Sequence, residues 1–175
     1  KLYRDAQFRV LTDAEATREK VLEGFAWLRQ NVKAEDSAIV FLAGHGVNTA
    51  GGRYLFLPAA ADLKNLPATT IDDRSIIAAL GSVRGRALLF LDTCFAGAVA
   101  DSFANTSRET SRFVNSLATP ENSVSVFASS TGREESLEQD SWGNGAFTKI
   151  LVEGLLGGAQ LRSLDVVTSG SLGPF

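Results

Sequence analysis

The stretch "LLFLDTCFAG", residues Leu88–Gly97, joins an apolar run to small residues and contains the only cysteine of the chain. An apolar run of this length that ends in small residues predicts a buried strand leading into a loop. A free cysteine is usually a buried core residue, so Cys94 alone does not indicate chemistry. Because Cys94 lies at the end of a predicted strand, a nucleophilic cysteine is the alternative to a buried one. The rest of the sequence must decide between them.

The remaining sequence alternates between strand and helix patterns. Strands are predicted over 7–11, 37–43, 53–58, 87–92 and 123–129, and the continuous apolar run at 37–43 is typical of a strand covered on both faces. Helices are predicted from a capping box at Thr12 and Glu15 to about Gln30, over 72–80 and over 145–156. The first helix is expected to bury Val21, Leu22, Phe25 and Leu28. This order predicts an α/β fold, with a mostly parallel sheet sandwiched between helices, in one domain over residues 1–175.

Composition excludes several classes of function. A chain of 175 residues with 45% hydrophobic residues and a net charge of −3 is typical of a globular domain without a nucleic-acid footprint. One cysteine and one histidine form neither an internal disulfide nor a usual zinc site, which fits a cytoplasmic protein. No signal peptide and no membrane-spanning run is evident. Phosphate-loop and G-x-S-x-G motifs are absent, which argues against nucleotide-binding and α/β-hydrolase classes.

The only histidine and the only cysteine follow two different apolar runs. His45 lies in "FLAGHG" and Cys94 in "LFLDTC", 49 residues further on. Adjacent parallel strands would bring both to the same edge of the sheet, where an imidazole can activate a thiol. The backbone amides of Gly46 and Cys94 can then hold an oxyanion, and glycines beside His45 leave room for a substrate backbone. A backbone-satisfied turn histidine in a plain tight turn is the alternative for "GHG".

These motifs, together with "YLFLPA" and "NGAFTKILVEGL", resemble those of the caspase and metacaspase family, especially bacterial caspase-like proteins (orthocaspases). The resemblance implies a cysteine endopeptidase in which Cys94 attacks the scissile carbonyl and His45 acts as base and then acid. It also implies that a first strand is missing ahead of "KLYRDAQF". The chain is therefore expected to be one module of a longer bacterial protein, with protein or peptide substrates and regulatory domains or an activator as partners.

Asp92, two residues before the cysteine, departs from animal caspases and resembles metacaspases. An acid at this position implies a pocket for Arg, then Lys, before the scissile bond, and Asp13 is a second candidate for that pocket. Their alternatives are a turn anchor for Asp92 and a helix cap for Asp13. Phe95, Ala96 and Gly97 replace the usual His-Ser-Gly of metacaspases. The resemblance to metacaspases leaves calcium activation as an alternative, but no calcium-loop spacing is present here, so no metal or other cofactor is expected.

Two further expectations concern processing and a rival function. Residues 101–120 are rich in Ser, Thr, Asn and Arg and predict a mobile loop, in which self-cleavage would follow Arg108 or Arg112. A solvated loop without processing is the alternative. The rival function is a catalytically silent caspase-like scaffold or binding module, although such a protein often loses the Cys or the His that this chain keeps.

Overall fold

Five strands form the central sheet of the computed structural model, which describes residues 4–95, 113–117, 124–129, 145–160 and 167–172. The strands are β1 Ser37–Asn48, β2 Tyr54–Leu57, β3 Ile71–Asp72, β4 Arg86–Phe95 and β5 Val124–Ala128. Their order in the sheet is β3-β2-β1-β4-β5. The pairs β1–β4 and β4–β5 are parallel, whereas β2 is antiparallel to both of its neighbours. Four of the five strands therefore run in one direction, which confirms the predicted α/β class and mostly parallel sheet.

The helices connect these strands. They are α1 Arg18–Asn31, α2 Leu66–Thr69, α3 Asp73–Gly81, α4 (helical over 113–117), α5 Ala146–Glu153 and α6 Ser169–Leu172. A 3₁₀ turn, Asp13–Glu15, precedes α1, and a π-helical turn, Gly154–Gly158, continues α5. Gly157 within that turn has a φ of 119°, a left-handed conformation that favours glycine. The predicted end of this helix at its glycine pair is confirmed.

The hydrophobic core lies on one face of the sheet. Alternate residues of β1 and β4 point into it, because side chains along a strand alternate between faces. The core residues of these two strands are Val40, Leu42, Ala87, Leu89 and Leu91. Three helices cover this face, with Val21 and Phe25 from α1, Ile76 and Leu80 from α3, and Phe113 and Leu117 from α4. Leu22 and Leu28 are partly buried against the same core, so the predicted inner face of α1 is confirmed.

The second face of the sheet is only partly covered. Phe90 is buried there and stacks on Phe127, with ring centroids 5.1 Å apart. In contrast, Ile39 is 63% exposed and Phe41 is 43% exposed. The expectation that β1 is covered on both faces was therefore wrong. The apolar run indicates which residues can be buried, but burial also requires a neighbouring element, and no element of the described part of the chain encloses these two side chains.

The N-terminal part of the chain differs from the sequence prediction. Residues 7–11 form no strand, and Phe8 and Val10 are largely exposed. The predicted capping box at Thr12 was also wrong, because Asp13 adopts a φ of 49° and the chain closes a 3₁₀ turn instead. The first helix begins five residues later, where the Thr17 hydroxyl accepts a hydrogen bond from the amide of Lys20 at 3.4 Å.

Part of the predicted mobile loop is structured. Residues 113–117 are helical, and Phe113 and Leu117 are buried in the core. The prediction of a loop over 101–120 was therefore wrong for these five residues, because two apolar side chains spaced by four residues suffice to anchor a helical turn. Arg108 and Arg112, the predicted cleavage positions, lie outside the described residues.

Candidate active site

His45 and Cys94 are opposite each other in the sheet. The parallel pairing of β1 with β4 runs in register from Ser37 and Arg86 to Gly46 and Phe95, and it matches His45 with Cys94. The prediction that adjacent parallel strands bring these two residues to one edge is confirmed at the level of the backbone. The sequence predicted that both residues follow the ends of their strands. They lie instead among the last residue pairs of the β1–β4 ladder, because both strands continue further than the apolar runs that predict them.

A short hairpin borders the histidine on its other side. β2 pairs with the end of β1 so that His45 faces Leu57 and Gly46 faces Phe56. The hairpin turn is closed by the amide of Thr49, which donates to the carbonyl of Arg53 at 2.9 Å. His45 itself is exposed, and it belongs to the face of β1 that carries Ile39 and Phe41. Its imidazole is thus accessible to a molecule that approaches this face.

The core-side face beneath His45 and Cys94 is filled by Tyr54. Tyr54 is completely buried, and its hydroxyl donates to the hydroxyl of Thr93 at 3.1 Å. A Cβ atom built on Gly46 would lie 2.7 Å from Cε2 of Tyr54, which is closer than such atoms approach. The sequence suggested that Gly46 leaves room for a substrate. The structure shows another reason why glycine occupies this position, because the ring of Tyr54 packs too closely for a side chain.

Asp92 is a residue of β4, and its carboxylate lies next to the N-terminus of α5. The hydroxyl of Thr148 donates to Oδ2 of Asp92, and a Cβ built on Gly145 would lie 3.5 Å from the same oxygen. Gly145 is the N-cap of α5 and has no side chain with which to cap the helix. A carboxylate is stabilised near the positive end of a helix, so Asp92 is held in a favourable position. Asp92 is half-buried, and Oδ1 has no hydrogen-bond partner among the described residues.

Thr148 is a contact that sequence reasoning missed. It is 56 residues from Asp92, and no local pattern connects the two. The one available signal was a hydroxyl residue in the first turn of a helix that begins with glycine. A hydroxyl at this position can bond to a group outside its own helix, but the sequence does not say which group.

Asp13 lies in the 3₁₀ turn before α1 and is exposed. That turn is tied to the segment after β2, since the amide of Ala59 donates to the carbonyl of Ala16 at 2.9 Å. Within the part of the chain that the structure describes, the carboxylate of Asp13 makes no hydrogen bond or ion pair. The structure therefore joins Asp92 to α5 and does not join Asp13 to Asp92.

The described residues contain neither a metal-ligand cluster nor a membrane-spanning helix. In residues 4–95 and the shorter described segments, no three His, Cys, Asp or Glu side chains cluster as metal ligands. None of the described helices is long and apolar enough to cross a bilayer.

The protein is an α/β protein with polar residues at the carboxyl ends of β1 and β4. Open α/β sheets bind ligands at this edge. The chain belongs to the caspase domain family, Peptidase C14, whose model matches residues 1–169. This is a family of cysteine peptidases.

One solved structure supports the fold independently. The protein GSU0716 from Geobacter sulfurreducens is similar, with a TM-score of 0.58 and 17% sequence identity. The match covers 86% of this chain but 66% of GSU0716, slightly less than two thirds of its length. At this identity the likeness concerns the fold alone. No curated protein sequence matches the chain.

Proposed function

We propose that the protein is a cysteine endopeptidase that uses His45 and Cys94 and cleaves after Arg, and less well after Lys. The observation that carries this proposal is the register of β1 and β4, which matches the only histidine with the only cysteine. Membership in the caspase domain family supports the cysteine-peptidase class. The exposure of His45 supports access for a substrate on that face.

The proposed reaction has two steps. His45 takes the thiol proton, and the sulfur of Cys94 attacks the scissile carbonyl carbon to form a tetrahedral intermediate. The C–N bond then breaks, the leaving amine takes the proton from the imidazolium, and a thioester remains. Water, deprotonated by His45, hydrolyses the thioester and returns the thiol. The backbone amides of Gly46 and Cys94 are the proposed donors to the oxyanion.

The proposed preference for Arg depends on Asp92. Thr148 occupies Oδ2, which leaves Oδ1 and a further lone pair of Oδ2 for a substrate cation. A guanidinium offers parallel donors to two carboxylate oxygens, whereas an ammonium pairs less specifically and an aspartate is repelled. Asp13 is proposed as a secondary acid of the same pocket. It has no charged partner among the described residues that would hold it elsewhere.

The test is covalent labelling of Cys94 by a peptide that ends in Arg and carries a thiol-reactive group, followed by intact mass. Because the chain has one cysteine, a single added mass reports that residue. We expect fast labelling of the folded wild type, loss of labelling in Cys94→Ala, and slow labelling in His45→Ala.

Peptide cleavage should fall to background in either single variant, and the double variant should lose little more, because the two residues act as a unit. Equal labelling rates in the wild type and His45→Ala would favour a silent scaffold. Strong cleavage by Cys94→Ala would refute the nucleophile.

A further inference from the structure

Tyr54 contacts both strands of the dyad from the core side of the sheet. Its hydroxyl bonds to Thr93, the residue immediately before Cys94. Its ring packs against Gly46, the residue immediately after His45. One side chain from β2 therefore contacts β1 and β4 at the level where the reacting residues lie opposite each other.

The phenol is held firmly in this position. Tyr54 and Thr93 are 0% and 4% exposed, so water does not compete for their hydrogen bond. The Tyr54 ring also stacks on Phe113, with ring centroids 4.9 Å apart and planes inclined by 6°. Burial raises the pKa of Tyr54 well above its ordinary value, outweighing the opposite effect of the bond to Thr93. The phenol is therefore neutral and retains the proton that it donates.

We propose that Tyr54 is a positioning residue for the dyad, which fixes the spacing of the two strand ends through its bond to Thr93 and its packing under Gly46. This inference rests on the proposed function of His45 and Cys94. Catalysis depends on such spacing, because small displacements of reacting groups cost large factors in rate. Tyr54 lies on the core side of the sheet and acts through the strands without touching substrate.

The test separates positioning from stability with three variants. Tyr54→Phe keeps the ring and removes the hydroxyl, which leaves the buried Thr93 hydroxyl without its donor. Thr93→Val removes the other partner, and the double variant replaces both polar groups by apolar ones, which restores much of the lost stability. We expect kcat to fall about tenfold in Tyr54→Phe and to stay low in the double variant, with KM unchanged.

Alkylation of Cys94 by iodoacetamide across a range of pH gives a second readout. The rate profile reports the interaction of the thiol with His45 and does not need a peptide substrate. We expect the profile of Tyr54→Phe to move towards that of His45→Ala. Thr70→Val is the matched control, because it removes another buried hydroxyl, bonded to the carbonyl of Leu66 at 2.7 Å. This control should lower stability without changing kcat or the alkylation profile.

The outcomes distinguish this inference from the proposed function. If the wild type cleaves peptides and kcat recovers together with stability in the double variant, the role of Tyr54 is only structural and the inference fails. Unchanged kcat and an unchanged alkylation profile in Tyr54→Phe would also overturn it. If the wild type cleaves no peptide, the proposed peptidase fails, and the alkylation profiles alone decide whether Tyr54 positions the two residues.

Discussion

At the scale of single residues, the charge of Asp92 is proposed to select the substrate. Asp92→Asn keeps the shape of the side chain and removes the charge, so cleavage after Arg should fall on the order of a hundredfold. The measurement is kcat/KM for matched peptides with Arg, Lys or Asp before the scissile bond. Alkylation of Cys94 by iodoacetamide, which has no cationic group, should change little in this variant.

Two results would contradict that prediction. Preferential cleavage after Asp would place another group in the pocket. Indifference to Asp92→Asn in a folded protein would assign Asp92 to the anchoring of α5 alone, through its bond to Thr148. Thr148→Ser retains the hydroxyl and serves as the conservative comparison.

The sequence predicts the candidate dyad but not the residues that surround it. His45 and Cys94 are recognisable because each residue type occurs once and each follows an apolar run. Tyr54 and Thr148 carry no such signal, since their partners lie 39 and 56 residues away. Contacts of this kind are set by the packing of whole elements, which no local pattern encodes. The close approach at Gly46 was likewise visible only once β2 lay beside β1.

At the scale of elements, the first prediction concerns the start of α1. The hydroxyl of Thr17 accepts from the Lys20 amide, whereas Thr12 makes no side-chain capping bond. Thr17→Ala should therefore lower the free energy of unfolding by about 1 kcal/mol, while Thr12→Ala should leave it nearly unchanged. Chemical denaturation of both variants checks this. A larger loss in Thr12→Ala than in Thr17→Ala would restore the capping box that the sequence suggested.

The second prediction at this scale compares two glycines. Gly46→Ala places a methyl group against the buried ring of Tyr54, and the strain should cost about 1–3 kcal/mol. Gly24→Ala is the matched control, because a Cβ there meets nothing within 4 Å on a helix, and alanine should stabilise α1 by about 0.5–1 kcal/mol. Thermal or chemical unfolding measures both. Equal stability of the two variants would show that Tyr54 does not pack against Gly46 as described.

Element boundaries show where local patterns stop being informative. The helix at 73–81 and the strands at 54–57 and 124–128 follow their patterns closely. The segment 7–11 has an alternating apolar pattern but pairs with none of the described strands, and a strand without a partner gains no ladder hydrogen bonds. Helix α4 depends on two core contacts that become apparent only when the sheet beneath it is assembled.

At the scale of the whole molecule, acid stability depends on a cluster that joins β2 to α3. Arg53 Nη2 lies 2.8 Å from Asp72 Oδ2, and its Nε donates to Asp73 at 2.6 Å. Burial by itself would raise the pKa of Asp72, but hydrogen bonds from Ser75 and the charge of Arg53 prevail and hold it below its ordinary value. The folded state therefore binds a proton at Asp72 less readily than the unfolded state.

The sign of the pH effect follows from that shift. The stabilisation is present above the pKa of the unfolded state, about 4, and is lost as the pH falls through the lower pKa of the folded state. Asp72→Asn should be less stable than the wild type at pH 7, and the difference should shrink near pH 3. Denaturation at both values measures it. Glu35→Gln, at an exposed residue without a described partner, should show no such change, and a constant difference for Asp72→Asn would contradict the assignment.

The alternation of faces along β1 and β4 has a consequence for how this protein can diverge. Most of the buried residues of these two strands lie on one side of the sheet, and His45 and Asp92 lie on the other, where Phe90 is buried but Ile39 and Phe41 are open to solvent. Substitutions on the core side should therefore be poorly tolerated, whereas the exposed positions of the second face should tolerate them. Libraries varied at these exposed positions should retain folded members in high proportion, so that, if the proposed peptidase activity holds, new cleavage preferences can be selected without compensating mutations in the core.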